Sequence, residues 1–418
     1  MENRKVAPPI KSGFNFQWNT PEKRILNEHA NLFWIKNSKS NTCKIEFSFH
    51  LQQSKKNKLI KSLSYNLLLS GNESISSDKI KNEFDHLGAY TDIQVFTEHA
   101  EISIYVLKEN LMKSVELLFT YIGNVNYPVK DFEILLKKRK SNFLIEAKKS
   151  STISRREFNK QLFHNTYLGK SLELYDFESI ELQDLKDYYN SSISNHLNKV
   201  CIVGNLENNQ IDKIQKIIES WTIQSSQNFL KCNENKVGEK FIPIEQNVQT
   251  SIRLGKFCVR KTDEDYFGFC ILNTILGDYF GSRLMKNIRE DKGYTYGIGS
   301  FIQHLKKTSY LGISTQVAKE YRQKTLEEIQ NEFQILQNSL VGSDELNTVR
   351  NYLLGQMMKA ADGVYAQMNL FVGVDNFGLD MSFYDKYLQT IESISSEKIQ
   401  ELAQKHLNWN DFTIVSAG

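Results

Sequence analysis

The sequence predicts an α+β protein made of two homologous α/β-sandwich domains with largely antiparallel sheets, related by a pseudo-twofold duplication. Three observations support this fold class. The same order of strand and helix patterns occurs twice, matching positions in the two copies are separated by nearly constant distances along the chain, and a polar segment lies between the copies. The length of 418 residues exceeds the roughly 100–200 residues of one ordinary domain.

The first copy begins with a strand around residues 44–51, where apolar and polar residues alternate as in a half-buried strand. Helices are predicted over residues 58–69 and 77–87, and the second of these ends at Gly88. A second alternating run over residues 100–106 predicts another strand. The copy continues with two more predicted helices, over residues 111–125 and 130–149.

The second copy repeats this order. A strand around residues 250–257 precedes a helix that opens near Asp263, with apolar residues at four-residue spacing. A short helix over residues 282–290 ends near Gly293, and a strand over residues 310–317 follows. One further predicted helix runs through residue 327 and another starts at Ser343, so six elements recur in the same order.

Matching positions support the duplication. The offsets are 205, 211 and 213 residues for the pairs Gly88 and Gly293, Val106 and Val317, and Asp131 and Asp344. A drift of a few residues is expected where loops differ between two copies of one fold. Residues 222–246 are polar and irregular and are interpreted as a linker. We therefore predict an N-terminal domain over residues 1–225 and a C-terminal domain over residues 226–418.

Composition and charge exclude several classes of function. The net charge is +3, from 52 basic and 49 acidic residues, and no basic stripe typical of nucleic-acid binders is visible. The run from Lys137 to Lys140 favours a solvated helix face over a phosphate-binding patch. No run of 18 apolar residues predicts a membrane span.

The cysteines and the N-terminus favour a cytoplasmic location. None of the five cysteines lies in a C-x-x-C pair, and most sit in apolar runs, which indicates buried free thiols in a reducing compartment. Residues 1–10 lack the apolar stretch of a signal peptide.

Residues 281–296 carry the most informative motif, G-S-R-L-M-K-N-I-R-E-D-K-G-Y-T-Y. It resembles a C-terminal motif of the insulinase/pitrilysin-type zinc metallopeptidases, which include the mitochondrial processing peptidases and small bacterial two-domain members. The matching residues are Ser282, Arg283, Leu284, Arg289, Glu290, Gly293 and Tyr296. Spacing alone would favour a surface helix before a glycine turn, but the whole motif and the duplication favour the family.

This resemblance covers nearly the whole chain and implies that Arg289 and Tyr296 bind substrate. In the family the two residues reach across a chamber toward a zinc site in the other half or in another subunit. A guanidinium and a phenol are fixed hydrogen-bond donors, so they can hold a substrate carbonyl and the negative charge that develops on its oxygen.

The resemblance also implies an inverted zinc motif, H-x-x-E-H, on a helix that ends before a glycine. Counted back from Gly71, its His, Glu and His positions fall on Ser62, Tyr65 and Asn66. Both imidazoles and the general base are therefore absent. We expect a degenerate zinc site, no bound metal or other cofactor, and no catalytic residue in this chain alone, with zinc only in a partner subunit.

Two further family positions are altered or isolated. The third zinc ligand, a Glu on a later helix, aligns with Glu146, for which an ordinary helix carboxylate beside Lys148 and Lys149 is the favoured interpretation. The family's G-G-x-x-N-A-like stretch, on the strand that pairs with substrate, corresponds to residues 87–92, where Asn-Ala is replaced by Thr91-Asp92. This change argues against substrate pairing on this half.

No other catalytic or metal site stands out. None of the eight histidines is three or four residues from another, and Glu98 and His99 would face opposite sides of a strand. A hydrogen-bonded His99 is therefore favoured over a metal ligand. Gly297-Ile298-Gly299 is too short for a dinucleotide fingerprint. A serine or cysteine triad stays open, although no motif indicates one.

The leading hypothesis is a non-catalytic subunit of a heteromeric zinc metallopeptidase that positions a peptide substrate with Arg289 and Tyr296. The expected partner is a homologous zinc-bearing subunit, and each chain forms one half of a clamshell. The alternative is a structural or peptide-binding homodimer of the same fold without peptidase activity. A hydrolase with an unrecognised site is a third possibility.

Overall fold

The computed structural model describes residues 16–51, 58–72, 74–223, 232, 234–245 and 247–418. The first half of the chain forms six strands and eight α-helices within these residues. They are β1 (Glu22–Asn27), β2 (Ala30–Lys36), β3 (Thr42–His50), α1 (Lys58–Asn66), α2 (Ser77–His86), β4 (Tyr90–Val95), β5 (His99–Leu107), α3 (Leu111–Gly123), α4 (Val129–Glu146), α5 (Ser150–Leu162), α6 (Leu174–Glu178), α7 (Leu182–Ser192), β6 (Leu197–Gly204) and α8 (Asn208–Ile218).

The second half forms five strands, six α-helices and one π-helix in the described part of the chain. They are β7 (Gly238–Ile242), β8 (Gln249–Cys258), α9 (Tyr266–Leu276), the π-helix (Met285–Asp291), β9 (Thr295–Leu305), β10 (Thr308–Ala318), α10 (Arg322–Asn338), α11 (Ser343–Ala360), α12 (Val364–Asp375), α13 (Ser382–Ser393), α14 (Ser396–His406) and β11 (Thr413–Ala417).

Each half contains one mixed, mostly antiparallel sheet. The first sheet has the strand order β1-β2-β6-β3-β5-β4, and the second has the order β7-β11-β8-β10-β9. The parallel pairs are β2 with β6 and β7 with β11, and the other neighbours are antiparallel. Without β1, the two sheets have the same order and the same directions. The predicted α+β duplication is therefore confirmed.

One face of each sheet is covered by helices from its own half. In the first sheet Leu32 and Trp34 face this core, while the alternate residues Phe33 and Ile35 point to the other face. In the second sheet Ile252 and Leu254 occupy the equivalent core. The helical stripes that pack on these faces are apolar at the spacing expected for amphipathic helices.

The opposite face of the second sheet is covered by a helix from the first half. Helix α5 lies on β8, where Ser154 Oγ and Ser251 Oγ are 2.9 Å apart in a hydrogen bond. The ring of Phe158 presses on the sheet at Gly255, where any Cβ would lie 2.6 Å from the ring. Gly255 is therefore required by close approach.

Helix α12 makes the reciprocal contact on the first sheet. The ring of Phe371 meets that of Phe33 edge-on, with centroids 4.7 Å apart. The ammonium of Lys199 on β6 donates to Asn376 Oδ1 at 2.6 Å and forms an ion pair with Asp375. Because α5 and α12 follow α4 and α11 in the two copies, the halves exchange equivalent helices and each completes the other.

Two predicted segments differ in detail. The predicted linker over residues 222–246 contains β7, which pairs in parallel with β11 and adds an edge strand to the second sheet. The predicted short helix over residues 282–290 is a π-helix over Met285–Asp291. The boundary predicted between residues 225 and 226 lies outside the described residues, as does the N-terminal segment 1–10.

The helices of the described part of the chain are either too short or too polar for a bilayer crossing.

Candidate functional site

The segment that carries Arg289 is wound more widely than an α-helix. The amide of Lys292 donates to the carbonyl of Asn287 at 3.1 Å, five residues back, which is the π-helical pattern. Gly293 has φ 64° and the Tyr294 amide reaches back to the Ile288 carbonyl at 3.0 Å, which closes the turn. Ile288 is fully buried, so it anchors the turn and leaves the next residue, Arg289, half-exposed.

The two arginines of the motif have different surroundings. The Arg283 guanidinium donates two hydrogen bonds of 2.8 Å to the carboxylate of Glu345 on α11, a bidentate pair that ties the motif to the fold. The Arg289 guanidinium instead lies 4.5 Å from the centre of the Phe280 ring, which is itself 64% exposed. Arg283 is therefore held structurally, whereas Arg289 rests on a surface aromatic ring.

Tyr296 lies at the start of β9, the edge strand of the second sheet, with 93% of its surface exposed. The pairing of β9 with β10 shifts register between Thr315 and Val317. Thr295 holds this irregularity, since its hydroxyl donates to the Gln316 carbonyl at 2.7 Å and accepts from the Gly297 amide at 3.1 Å. Such irregularities re-aim neighbouring side chains. The phenol of Tyr296 is almost fully exposed beside this irregularity.

Helix α1 carries the three positions aligned with the zinc motif. Tyr65 is completely buried, its ring meets Phe49 edge-on at 6.3 Å, and burial raises the pKa of its hydroxyl. Asn66 is exposed, and its Nδ2 donates to the carbonyl of Ser62 at 2.6 Å within the same helix. A hydroxyl, a buried phenol and an amide do not fit zinc, which takes imidazole, thiolate or carboxylate ligands.

The carboxylate of Glu146 lies at the exposed end of α4. Its Oε1 accepts from the Lys149 ammonium at 2.6 Å, as the interpretation of a surface helix carboxylate requires. The described residues contain no group of three or more His, Cys, Asp or Glu side chains arranged to hold a metal ion. His99 belongs to none, and its Nε2 lies 2.9 Å from Glu101 Oε1.

Strand β4, which includes the Thr91-Asp92 substitution, forms the outer edge of the first sheet. Gly88, with φ 60°, ends the turn that leads into it. Tyr90 at its start is 64% exposed and lies 6.1 Å from the ring of Tyr105. The two edge strands β4 and β9 thus occupy equivalent places in the two sheets, and each begins with an exposed tyrosine near its first residue.

A serine and a histidine do meet in the second half. His304 Nδ1 lies 2.9 Å from Ser309 Oγ, and its Nε2 lies 3.1 Å from the Tyr266 hydroxyl. Burial lowers the pKa of His304 to about 4. Ser309 is almost completely buried, so its hydroxyl is closed to a substrate. This pair does not fit a nucleophile and base for acyl transfer, which need an accessible nucleophile.

A cavity of about 660 Å³, which no sequence motif indicates, lies between the two halves. Its lining residues come from α1, the β4–β5 turn, the end of α5 with the 3₁₀ turn at Tyr167–Gly169, Tyr188 of α7, and the β9–β10 hairpin. Ser62 lies on its wall. Because these five segments are distant in sequence, no local pattern could have predicted that they meet.

Comparisons with known proteins agree with this architecture. Residues 179–353 match the family model described as peptidase M16 inactive domain. The uncharacterized zinc protease YmxG of Bacillus subtilis is 20% identical over 349 residues, which cover 81% of this chain and 83% of that protein. The non-peptidase homolog YmxG of Helicobacter pylori is 22% identical over 339 residues, covering 78% and 76% respectively.

Two solved structures share the fold. A crystal structure of a peptidase M16 inactive domain from Pseudomonas fluorescens superposes with a TM-score of 0.84 at 20% identity, covering 95% of this chain and 98% of that one. A protease from Helicobacter pylori superposes with a TM-score of 0.83 at 13% identity, covering 96% and 100%. At such identities the likeness extends to the fold.

Proposed function

Because this chain belongs to the peptidase M16 family, we propose that it is a non-catalytic subunit that positions a peptide substrate for a zinc-bearing homologue with Arg289 and Tyr296. The observation that carries the proposal is the contrast within one motif. The Arg283 guanidinium donates two hydrogen bonds to Glu345. Arg289 instead rests on the exposed ring of Phe280, and Tyr296 is almost fully exposed.

The degenerate helix α1 supports the non-catalytic half of this proposal. Ser62, Tyr65 and Asn66 replace the motif's imidazoles and general base, so α1 offers none of the three side chains with which that motif binds zinc and activates water. Two relatives bear names of the same kind: the non-peptidase homolog YmxG of H. pylori, and the probable inactive metalloprotease YmfF of B. subtilis, 21% identical over 239 residues that cover 56% of this chain and 55% of that protein.

The exposed side chains support the partner half of the proposal. Tyr296 at the end of the motif and Phe280 just before it are large, exposed aromatic side chains, and the guanidinium of Arg289 lies on the ring of Phe280. Aromatic residues and arginine are enriched at the centres of protein interfaces. A guanidinium and a phenol brought to a substrate carbonyl in the partner's site would donate hydrogen bonds to its oxygen as negative charge develops there.

Co-expression with a homologue from the same source that retains H-x-x-E-H tests the proposal. The two chains should co-elute in size-exclusion chromatography, and the complex should cleave a fluorogenic peptide. Arg289→Ala and Tyr296→Phe should each leave the complex assembled and lower kcat, by about 100-fold for the arginine, because one such donor contributes roughly that factor. Lys286→Ala, at an exposed position of the same π-helix, is the matched control.

Two results would count against this function. Full activity of complexes that carry Arg289→Ala and Tyr296→Phe would mean that the motif contributes only to the fold and not to catalysis. Elution of the chain as a homodimer that ignores the zinc-bearing homologue would favour the structural or peptide-binding alternative.

A further inference from the structure

The cavity between the halves has the size of a ligand site. Its volume of about 660 Å³ lies within the range of roughly 300–1,000 Å³ that small-molecule and peptide-end sites occupy. Its end of β9, at Gln303, lies seven residues from Tyr296, or about 25 Å along an extended strand. Neither Arg289 nor Tyr296 lines the cavity, so it is separate from these two side chains.

The wall of the cavity carries an excess of positive charge. Lys58 and Lys61 line it from α1, and Glu98 is the carboxylate among the lining residues described. Glu98 Oε2 accepts from the backbone amide of Lys306 at 2.8 Å, and its charge also acts on Lys61, so two lysines face one carboxylate among the described lining residues. The two ammonium groups donate to backbone carbonyls, Lys61 to Thr97 at 3.2 Å and Lys58 to two carbonyls beyond α5.

Lys61 is half-buried, whereas Lys58 lies at an exposed position of α1. Burial lowers the pKa of Lys61 to about 8, although the charge of Glu98 acts in the opposite direction. A neutral carbonyl partner compensates a buried ammonium less well than a carboxylate does. An anionic group entering the cavity would supply the missing charge.

Aromatic rings form another part of the wall. The rings of Phe96, Phe163, Tyr167 and Tyr310 line the cavity beside the polar side chains of Ser62 and Gln303. The rings of Phe163 and Tyr310 meet edge-on with centroids 5.6 Å apart, so they form a continuous apolar surface. Such a surface accommodates an apolar side chain next to the charged group.

We propose that this cavity binds a peptide carboxylate, with Lys61 and Lys58 facing the charge and the aromatic wall holding the adjoining apolar side chain. The site belongs to this chain alone and needs neither zinc nor a second subunit. The carboxylate is either the C-terminus of a peptide or an acidic side chain within it.

The charge state of the wall makes binding depend on pH. A carboxylate beside Lys61 favours its charged form, so binding raises this pKa and takes up protons near pH 8 to 9. Affinity should be constant from pH 7 to about 8 and fall above it. Other titratable groups face the cavity or stand directly behind it: Lys58, Glu98, His99, Tyr167, Tyr188, His304, Lys306 and Tyr310.

Of these groups, Lys306 also titrates near pH 8, because burial lowers its pKa to about 8. Burial holds the pKa of His304 near 4 and that of Tyr167 near 12, so neither titrates between pH 7 and 9. The pH profile is therefore assigned to Lys61 only by comparison with a variant at that residue.

Isothermal titration calorimetry with three N-acetylated tetrapeptides tests the proposal. The first, Ala-Ala-Ala-Phe, has a free C-terminus, the second is its C-terminal amide, and the third is the amide of Ala-Glu-Ala-Phe. The free acid should bind about 10- to 100-fold more tightly than the plain amide, as expected for a hydrogen-bonded charge pair. The third peptide shows whether an acidic side chain can supply the carboxylate.

Lys61→Met should reduce the preference for the acid to less than twofold and leave the affinity for the plain amide unchanged. Lys61→Arg should keep the preference. Lys138→Met, at an exposed position of α4, is the matched control. If Lys61→Met does not fold, Lys61→Arg takes its place: the affinity of the unaltered protein for the acid should fall above pH 8, whereas Lys61→Arg should keep its affinity there, because a guanidinium stays charged.

Three results would overturn the proposal. They are equal affinity for the acid and the plain amide, an unchanged preference in a folded Lys61→Met variant, and no binding of either carboxylate peptide at millimolar concentration. None of these results depends on Arg289, Tyr296 or a partner subunit, so they leave the proposed function untouched.

Discussion

Replacing Phe158 by alanine tests whether α5 is an integral part of the second half. The ring is 3% exposed and is clamped between α5 and the second sheet, where Gly255 makes room for it. Removing a buried Phe side chain costs about 3–5 kcal/mol of unfolding free energy through lost burial and the cavity left behind. Against a total stability of roughly 5–15 kcal/mol, this is a large fraction.

The assay is urea unfolding followed by circular dichroism, combined with amide hydrogen exchange of the separate strands. Phe158→Ala should lower the urea midpoint and accelerate exchange in β8, although residue 158 belongs by sequence to the first half. Ile134→Ala, on the exposed side of the neighbouring helix α4, is the control and should cost less than about 0.5 kcal/mol. A loss below about 1 kcal/mol, or unchanged exchange in β8, would refute the role assigned to α5.

Three further predictions concern single side chains. Arg283→Met should lower the free energy of unfolding in urea by about 1.5–3 kcal/mol, because it leaves Glu345 without its bidentate partner. Arg289→Met should lower it by about 1 kcal/mol or less. Equal losses would contradict the assignment of a structural role to Arg283 alone. Tyr65→Phe should be neutral or slightly stabilising in thermal melts, since the buried hydroxyl has no hydrogen-bond partner among the described residues, and a loss above about 1 kcal/mol would indicate a partner. The pKa of His304 is about 4 in the folded state against 6.5 for an ordinary histidine, so its neutral form contributes stability that is complete above pH 6.5 and is lost as the pH falls toward 4. His304→Gln should therefore flatten the plot of unfolding free energy against pH in this range. An unchanged slope would argue against this contribution.

The duplication was predictable because paired positions do the same work in both copies. Gly88 and Gly293 both have positive φ, at 60° and 64°, and each ends the helical segment before an edge strand. Val106 and Val317 are both buried on the strands next to those edges. These local requirements persist in the sequence even where the rest of the two halves has diverged.

Other features had no local signal. Strand β7 is exposed along most of its length, so it lacks the apolar alternation of a half-buried strand, and its pairing with β11 defines it. The π-helix resembles an ordinary short helix in sequence, and its wide turn is visible only in the bond from Lys292 to Asn287. The cavity depends on contacts among five segments that are distant in sequence. Its two lysines, Lys58 and Lys61, look like ordinary surface charges in the sequence.

The exchange of α5 and α12 also bears on how such a chain can arise and be divided. A single copy of the repeat would leave one face of its sheet uncovered and one helix without a sheet to pack on. Two copies cover each other's sheets with these helices, as the protomers of a domain-swapped dimer do. Because the two copies are joined in one chain, their effective concentration is very high and does not depend on the expression level. The polypeptide is in this sense a dimer within one chain, and a cut in the polar segment between the halves would return it to two fragments that must associate to fold.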